Sequence, residues 1–584
     1  MQELVSSTME SKYSLRSLPV TAIVLTLAAL VFASCASDSN KTESDDNNSA
    51  RTIRPLLGVN GGPTPFQPSL YPSFVDTTKQ FKSLGVDAVR LEDYFGPNDI
   101  MCMFPDPSDD PSDDSNYEFE ETDAVFQSVV DGNFRPMLRL GQSWKVGEAI
   151  TGYDVKAPTG TLQPDKPKSY PGCDFWSEGL AAGVDRAGPE LWKHIVGRYS
   201  DRERWGKNAL ENGWVEIWNE PNMPGSTMYW DAEPEKFYEF FATTAKALAA
   251  DFPELKFGGP GSHGAGCTTP EGRKWVDDFF EYLKRNDAPL DFFSWHAYSA
   301  NIDELRGCYL FYSKLLDQHG YGDVPQIVTE YNTDAVACAG AGQICHPHGY
   351  LAGGALLTTA WIEMQSWPDL EGLFVYRGAD GPFIPNSEFT LPVVDGAPCP
   401  GLGCDSLGDS GFGLLYGDGT RKPQGAAVSL WSMLAGMELV DLAEPALFVA
   451  EVDGTTLNNA GAKLAGGLPI LGVLAGRDQL GNVRLLVANP QDVTVTVDIA
   501  GLLRTGQIEA SDETMIAVTS LTEGAPDLVS TSEIKFGTLA SSLRPSALRP
   551  NTNGVVLEPF SVQVYEVRGR PDALSKRHSR PPRR

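Results

Sequence analysis

Two glutamates stand out by the company they keep. Glu220 lies in WVEIWNEPN (214–222) and Glu330 in VPQIVTEYNT (324–333). Paired carboxyls facing one another across a cleft can cut a glycosidic bond. One, as the acid, protonates the departing oxygen, while the other, ionised, attacks or stabilises the anomeric carbon. Asn219 precedes Glu220, and Tyr331 and Asn332 follow Glu330, all side chains suited to hydrogen-bonding a sugar. His296 and Tyr298 in DFFSWHAY (291–298), and Arg90 in DAVRLE (87–92), complete the candidate set. A single Glu after a strand is more often a surface or salt-bridged residue, so the pairing carries the argument. The chain offers no GxSxG elbow, HExxH pair or Walker loop for a different hydrolytic chemistry.

Such residues need strand ends to hold them. From about residue 53 the chain alternates short apolar runs with longer helical patterns, as parallel α/β proteins do. Candidate strands span 54–60, 87–92, 135–141, 214–220, 256–261, 291–298, 326–332 and 372–378, with helical spacing of apolar residues in 234–252 and 272–286. Eight strands over about 325 residues predict a (β/α)8 TIM barrel with insertions, whose chemistry sits at the C-terminal strand ends. Three of the strands end there in polar clusters: Asn219-Glu220, His296 to Tyr298, and Glu330-Tyr331-Asn332.

The order VRLEDYFGPNDI, FRPMLRLGQSW, WVEIWNEPN, DFFSWHAYS, VPQIVTEYNT and GFGLLYGDGTRKP resembles glycoside hydrolase family 39, within clan A, from about residue 54 to 435. That family includes β-xylosidases, α-L-iduronidases and exopolysaccharide-cleaving endoglycosidases. The resemblance implies a retaining double displacement on an oligo- or polysaccharide, with no metal or organic cofactor. Glu220 would be the general acid/base and Glu330 the nucleophile. Tyr298 would hydrogen-bond Glu330, Arg90 would keep it anionic, Asn219 would donate to the sugar 2-hydroxyl, and His296 would contact or orient the sugar. A catalytically inactive glycan-binding protein is the alternative; loss of either Glu would favour it, and both are present.

Departures from the family pattern bear on substrate. Glu92 stands where members often carry His, and the common HAYP string here ends in Ser299. The loops 142–190, 333–350 and 379–410 are long and Cys-bearing, which argues against a simple xylosidase pocket. Arg377 could meet a uronate carboxylate in an iduronidase-like reading, though an outward or ion-paired Arg is the commoner case. Trp144, Trp176, Trp218, Trp230, Trp295 and Trp361 include candidates for stacking on sugar faces, with Trp295 expected to point away from the site.

After about residue 438 strand-like alternation replaces long helical patterns, in 470–478, 482–490, 493–501 and 554–569. This predicts an all-β, sandwich-like accessory domain over 438–568, followed by a basic, Pro-rich disordered tail, 569–584. The Asp-rich stretch 106–115 lacks the Gly and terminal Glu of a calcium loop and reads as solvated.

The other end concerns location. Leu18 to Ala33 form an apolar run preceded by Lys12 and Arg16, short for a spanning helix and of signal-peptide length. Phe32-Ala33-Ser34-Cys35 resembles a bacterial lipobox, which makes Cys35 the expected lipidation site, residues 1–34 a leader and 35–52 an acidic tether to the barrel at 53–437. The expectation is an exported, membrane-anchored lipoprotein. Removing Cys35 leaves eight cysteines, an even number that suits disulfides in an oxidising compartment. Cys338/Cys345 and Cys399/Cys404 could staple their own loops, leaving Cys102/Cys173 and Cys267/Cys308; a zinc site from Cys338, Cys345, His346 and His348 lacks a CxxC pair.

Charge adds exclusions. With 46 Lys+Arg against 77 Asp+Glu the net charge is −31, which would repel nucleic-acid phosphates and weighs against a polyanionic substrate. Oligomeric state is not legible in the sequence.

Overall fold

The computed structural model describes residues 51–568 apart from 65–74, 93–97, 143–175, 207–208, 225–228, 334–350, 380–411, 417, 443–449, 453–454, 458–470, 492, 507–509, 512, 523–527 and 536–554. Cys35, the leader and tether, the basic tail, Trp144, the cysteines at 173, 338, 345, 399 and 404, and most of the three long loops therefore lie outside the described residues.

All eight expected strands form, as β1 (Gly58–Asn60), β2 (Ala88–Arg90), β3 (Arg135–Leu140), β4 (Trp214–Ile217), β5 (Phe257–Ser262), β6 (Phe292–Tyr298), β7 (Gln326–Asn332) and β8 (Leu370–Val375). They close in that order into a barrel of parallel neighbours, β8 returning to pair with β1. Parallel strands wrapped by helices are buried on both faces, so these runs are apolar nearly throughout, and the exceptions are informative. The period of two sets Ala88, Met137, Trp214, Phe292, Ile327 and Phe374 together as an apolar plug. Two residues further along their strands come Arg90, Arg139, Glu216 and Ser294, all buried. A charged layer thus rests on an apolar one, on the side towards the C-terminal strand ends. The plug is tight: a Cβ on Gly58 would stand 2.4 Å from the Phe374 ring, so only glycine fits there.

Outside the barrel, amphipathic helices such as Pro234–Asp251 and Pro270–Arg285 seat Phe237, Phe241, Val276 and Phe279 against the strands. Each begins with Pro in its first turn, where the missing N–H costs nothing. Cys267 and Cys308 form a disulfide, one of the expected pairs. Cys102 is also disulfide-bonded. Each Asp of the 106–115 stretch that begins a DxS step, Asp106, Asp110 and Asp113, accepts from the backbone and hydroxyl of the Ser two residues on. Asp114 meets Arg198 at 3.1 Å.

The C-terminal region is built mainly of β-strands, as expected, with one short helix. Strands β9 (Glu438–Leu439), β12 (Gly472–Arg477), β13 (Val483–Ala488), β15 (Met515–Leu521), β16 (Val529–Lys535) and β18 (Val562–Val567) make a six-stranded sheet. Strands β10 (Ala450–Val452), β11 (Thr455–Leu457), β14 (Val495–Val497) and β17 (Val555–Leu557) make a four-stranded one. The 493–501 stretch, read as strand, is a correction: after Val497 the chain turns into the helix Ile499–Thr505, capped by Asp498 on the Gly501 N–H at 2.7 Å. β13 shows why this domain is not a separate bead. Its Leu485 and Val487 face the β-domain core, while Leu486 and Ala488 join the core of the barrel. A strand apolar on both faces needs cover on both, and the barrel supplies one of them. Among the described residues no helix is long and apolar enough to cross a membrane.

Candidate active site

Strict alternation would not bring the candidate carboxylates to one place. Asn219 and Glu220 are consecutive and should face opposite ways. The backbone after β4 avoids this by entering the left-handed region at Trp218 (φ 86°) and Glu220 (φ 46°), conformations disfavoured for bulky residues and characteristic of functional strain. Two ladder-like bonds hold the bend: Trp218 N–H donates to the Leu140 carbonyl and Glu220 N–H to that of Gly261, each at 2.9 Å. Trp218 turns outward instead, its indole donating to the Tyr229 carbonyl at 2.7 Å.

β7 solves the same problem differently. Ile327 faces the barrel interior, so Glu330, three residues on, should face out. β7 carries one extra residue against β6: Trp295 pairs with Val328, but His296 pairs with Glu330. The bulge at Thr329 rotates Glu330 inward and sends Tyr331 to the outer core. β6 needs no such device, because Ser294, His296 and Tyr298 alternate inward, while the Trp295 indole turns out to Gln326 Oε1 at 3.0 Å.

The side chains converge. Arg90, wholly buried, donates through Nη1 to Glu330 Oε1 at 2.8 Å and to Asn60 Oδ1 at 2.9 Å. Its Nη2 reaches Asn219 Oδ1 at 2.7 Å and its Nε reaches Glu216 Oε2 at 2.6 Å. With Oδ1 so held, the Asn219 amide is left with its donor side. Tyr298 OH donates to Glu330 Oε2 at 2.7 Å. His296 Nδ1 lies 2.7 Å from Glu220 Oε1 and 3.4 Å from Glu330 Oε2, a bridge between the two carboxyls. All six sequence candidates of the barrel, Arg90, Asn219, Glu220, His296, Tyr298 and Glu330, thus form one connected cluster. His296 is fully buried, and in this structure its ring nitrogen serves the carboxyls.

Sequence reasoning passed over Glu216, Asn60, Arg139 and Asp99. The available signal was a charged or amide residue inside an otherwise apolar strand, as in WVEIW and RPMLRL. Glu92, the departure from the family pattern, is buried between two guanidiniums: it pairs with Arg139 and lies 3.8 Å from Arg90. Arg139 also meets Asp99 at 2.7 Å. Arg377 is buried just past β8, its backbone N–H and carbonyl paired with Phe412 and Leu414. The described tryptophans of the stacking set, Trp176, Trp218, Trp230, Trp295 and Trp361, are all buried core.

Electrostatics follow the contacts. Burial opposes the Arg90 charge, but Glu216, Glu92 and Glu330 outweigh it and raise its pKa. Burial is also the largest influence on Glu330 and raises it above the ordinary 4.5, against the pull of His296 and Arg90. For Glu220 burial is outweighed by His263, His296 and Arg90, which lower it. Burial disfavours protonated His296, yet Glu330 and Glu220 raise it above 6.5. The opposed shifts of Glu220 and His296 describe one shared proton. An imidazolium–carboxylate pair and a neutral imidazole beside a carboxylic acid have the same proton count, and such pairs titrate as a unit. The pair can therefore deliver an acid proton.

The pH profile of kcat/KM should be bell-shaped. Glu330 must ionise, and its raised pKa places the acid limb above pH 4.5. The pair must keep its proton, and raised His296 places the basic limb above pH 6.5. A basic limb below 6.5 would contradict the shared proton.

Residues 175–312 match the model of glycosyl hydrolases family 39. The chain is 25% identical over 349 residues to a β-xylosidase of Geobacillus stearothermophilus, covering 54% of this chain and 62% of that protein. It is 24% identical over 235 residues to a β-xylosidase of Caldicellulosiruptor saccharolyticus, covering 39% and 40%. The matches thus span less than two thirds of either relative. Among solved structures, a glucosidase from Croceicoccus marinus aligns with a TM-score of 0.54 at 17% identity, covering 88% of this chain and 96% of that one. A family 39 β-xylosidase from Caulobacter crescentus aligns with a TM-score of 0.51 at 17% identity, covering 90% and 98%. These structures share the fold. The family match falls on the segment that carries Asn219, Glu220, His296 and Tyr298, so the comparisons support a likeness to glycosyl hydrolases family 39 over that part of the chain.

Proposed function

We propose that this chain is a retaining glycoside hydrolase acting outside the cytoplasm on a neutral oligo- or polysaccharide, with β-xylosides the first substrates to test. One observation carries the retaining mechanism: the facing oxygens of Glu220 and Glu330, with His296 Nδ1 between them, lie within 4.8 Å of one another. Retaining enzymes hold their carboxyls about 5–5.5 Å apart, so that one can attack the anomeric carbon; inverting enzymes leave about 6.5–9.5 Å for a water.

In the first step a Glu330 oxygen bonds to the anomeric carbon as the glycosidic bond breaks, and the leaving oxygen takes the proton held by Glu220 and His296. In the second, Glu220 takes a proton from water, whose oxygen displaces Glu330 and restores it as a carboxylate. Arg90 and Tyr298 hold one oxygen of Glu330 each. The Asn219 amide, its Oδ1 fixed by Arg90, presents its NH2 to the sugar 2-hydroxyl.

The charge of the site favours a neutral sugar over a uronate. Arg90 and Arg139 are already held by carboxylates and offer no cation for another. The β-xylosidase names of the two relatives support the choice of substrate. Export and lipid anchoring rest on the apolar run from Leu18 to Ala33 and on Cys35.

Hydrolysis of an aryl β-xyloside followed by proton NMR tests the reading. The first sugar released should have the anomeric configuration of the substrate, before mutarotation mixes it. A first product of inverted configuration, or inactivity across a broad glycoside panel, would overturn it.

A further inference from the structure

The mechanism above leaves two buried polar atoms unused. Glu216 gives Oε2 to Arg90, but its Oε1 has no hydrogen-bond partner, and neither has His296 Nε2. Both residues are wholly buried, where leaving a polar atom without a partner is costly. The two atoms flank the same point in space. A Cβ on Gly261 would stand 3.1 Å from His296 Nε2 and 3.4 Å from Glu216 Oε1. Gly261 takes a left-handed φ of 62°, its carbonyl receives the Glu220 N–H and its own N–H donates to Ser294 Oγ. The absence of a side chain there leaves the carboxylate oxygen and the imidazole nitrogen facing the same space beside β5.

We propose that Glu216 is a positioning residue for the acid/base: its second oxygen takes the Nε2–H of His296 through one bridging water, which leaves Nδ1 to share a single proton with Glu220. This deepens the glycosidase reading and rests on it. The reason is tautomeric. A neutral imidazole carries one N–H, and the negative charge of a carboxylate across one water from Nε2 favours the proton on Nε2, with the water accepting from it and donating to the carboxylate. Nδ1 then has its lone pair towards Glu220 Oε1, 2.7 Å away, and the proton between them resides on Glu220 when the leaving oxygen calls for it. Were the N–H on Nδ1 instead, Glu220 would face a donor and enter the first step without a proton. The same Glu216 binds Arg90 through Oε2, and Arg90 binds Glu330. One buried carboxylate therefore anchors both arms of the site.

Glu216→Gln is the discriminating substitution. Arg90 Nε requires an oxygen, so the glutamine amide must turn its NH2 towards His296 Nε2. A donor in that place draws the lone pair to Nε2, puts the N–H on Nδ1, and leaves Glu220 ionised. Hydrolysis of an unactivated oligosaccharide should fall about 100-fold, the lower range for general acid catalysis. A 2,4-dinitrophenyl glycoside, which needs no proton to leave, should have its glycosylation step within about threefold to fivefold of wild type, as the acid contributes little there. The basic limb of kcat/KM should move to lower pH. Other charges facing His296 and Glu220 are unchanged in this variant: Arg90 and Glu92 beside β2, His263 after β5, Tyr298 on β6 and Glu330 on β7.

Equal losses on both substrates, or an unmoved basic limb, would overturn the inference while leaving the glycosidase reading intact. A wild type inactive on every glycoside would overturn the reading itself. Nitrogen-15 NMR of the wild-type protein labelled at its seven histidines gives an answer that does not depend on the variant folding. With His296 assigned by its loss in His296→Gln, Nε2 should show the shift of a protonated nitrogen. A bare Nε2 would overturn the assignment.

Discussion

Glu330→Ala should lose hydrolysis of every glycoside by roughly 10⁴–10⁶-fold, the range seen when a covalent nucleophile is removed. Tyr298, a neutral phenol, and Arg90, a cation, hold Glu330, and neither offers a carboxylate in its place. Added azide should restore turnover of an aryl glycoside by entering the space of the lost carboxylate, and the glycosyl azide formed should have inverted configuration. Azide has no such effect on an enzyme in which Glu330 is merely a structural partner of Arg90. Full activity in this variant, or rescue giving a retained product, would remove Glu330 from the role.

Glu220→Ala should divide substrates by their leaving groups. Natural linkages need the proton, and their hydrolysis should fall by about 10²–10⁴-fold. A dinitrophenyl glycoside should still load the enzyme, because its leaving group departs unprotonated. Water must then attack the glycosyl ester without a base, so an initial burst of phenolate followed by slow turnover is expected. Azide, which needs no base, should accelerate the second step and give a product of retained configuration. The opposite azide stereochemistry of the two variants assigns each carboxyl to its face of the sugar. The basic limb of the pH profile should also vanish in Glu220→Ala, since the proton it reports is shared between Glu220 and His296. Equal losses across leaving groups would place the acid elsewhere.

The charged layer beneath the site explains why the two carboxyls behave differently. Glu330 is held by a guanidinium and a phenol, Glu220 by an imidazole. At about 4 Å a unit charge pair is worth roughly 4 kcal/mol at an effective dielectric near 20, yet burial outweighs the pull of His296 and Arg90 on Glu330 and raises its pKa. Arg90 cannot lose its proton, and Glu330 stays the anion once above its raised pKa. His296 can lose its proton, so the charge at Glu220 remains adjustable. An adjustable carboxyl is what an acid that later becomes a base requires.

Much of this was legible along the chain. Periods of two and of 3.6 marked eight strands and their helices because parallel barrel strands are apolar on both faces and their helices on one. Polar residues closing those strands marked Arg90, Asn219, Glu220, His296, Tyr298 and Glu330. In the C-terminal domain the same reasoning found the β texture but misread 493–501, where alternation persists through Val497 and Asp498 then caps a helix. Asp498 serves equally well as a strand-end residue, so local pattern could not separate the two.

By itself, then, the sequence determined the barrel, the accessory β domain and which six side chains stand at the strand ends, since these depend on residue type and spacing. Only the tertiary structure decided which way those side chains point. Glu330 faces inward because β7 holds one more residue than β6 at Thr329, and Asn219 and Glu220 share a side because the backbone turns left-handed beside Leu140 and Gly261. Likewise, Glu216 is just a glutamate in a strand until Arg90, 126 positions away, and the bare face of Gly261 give its two oxygens their places. Register between neighbouring strands and approach across the barrel are relations between distant segments, and no local period encodes them.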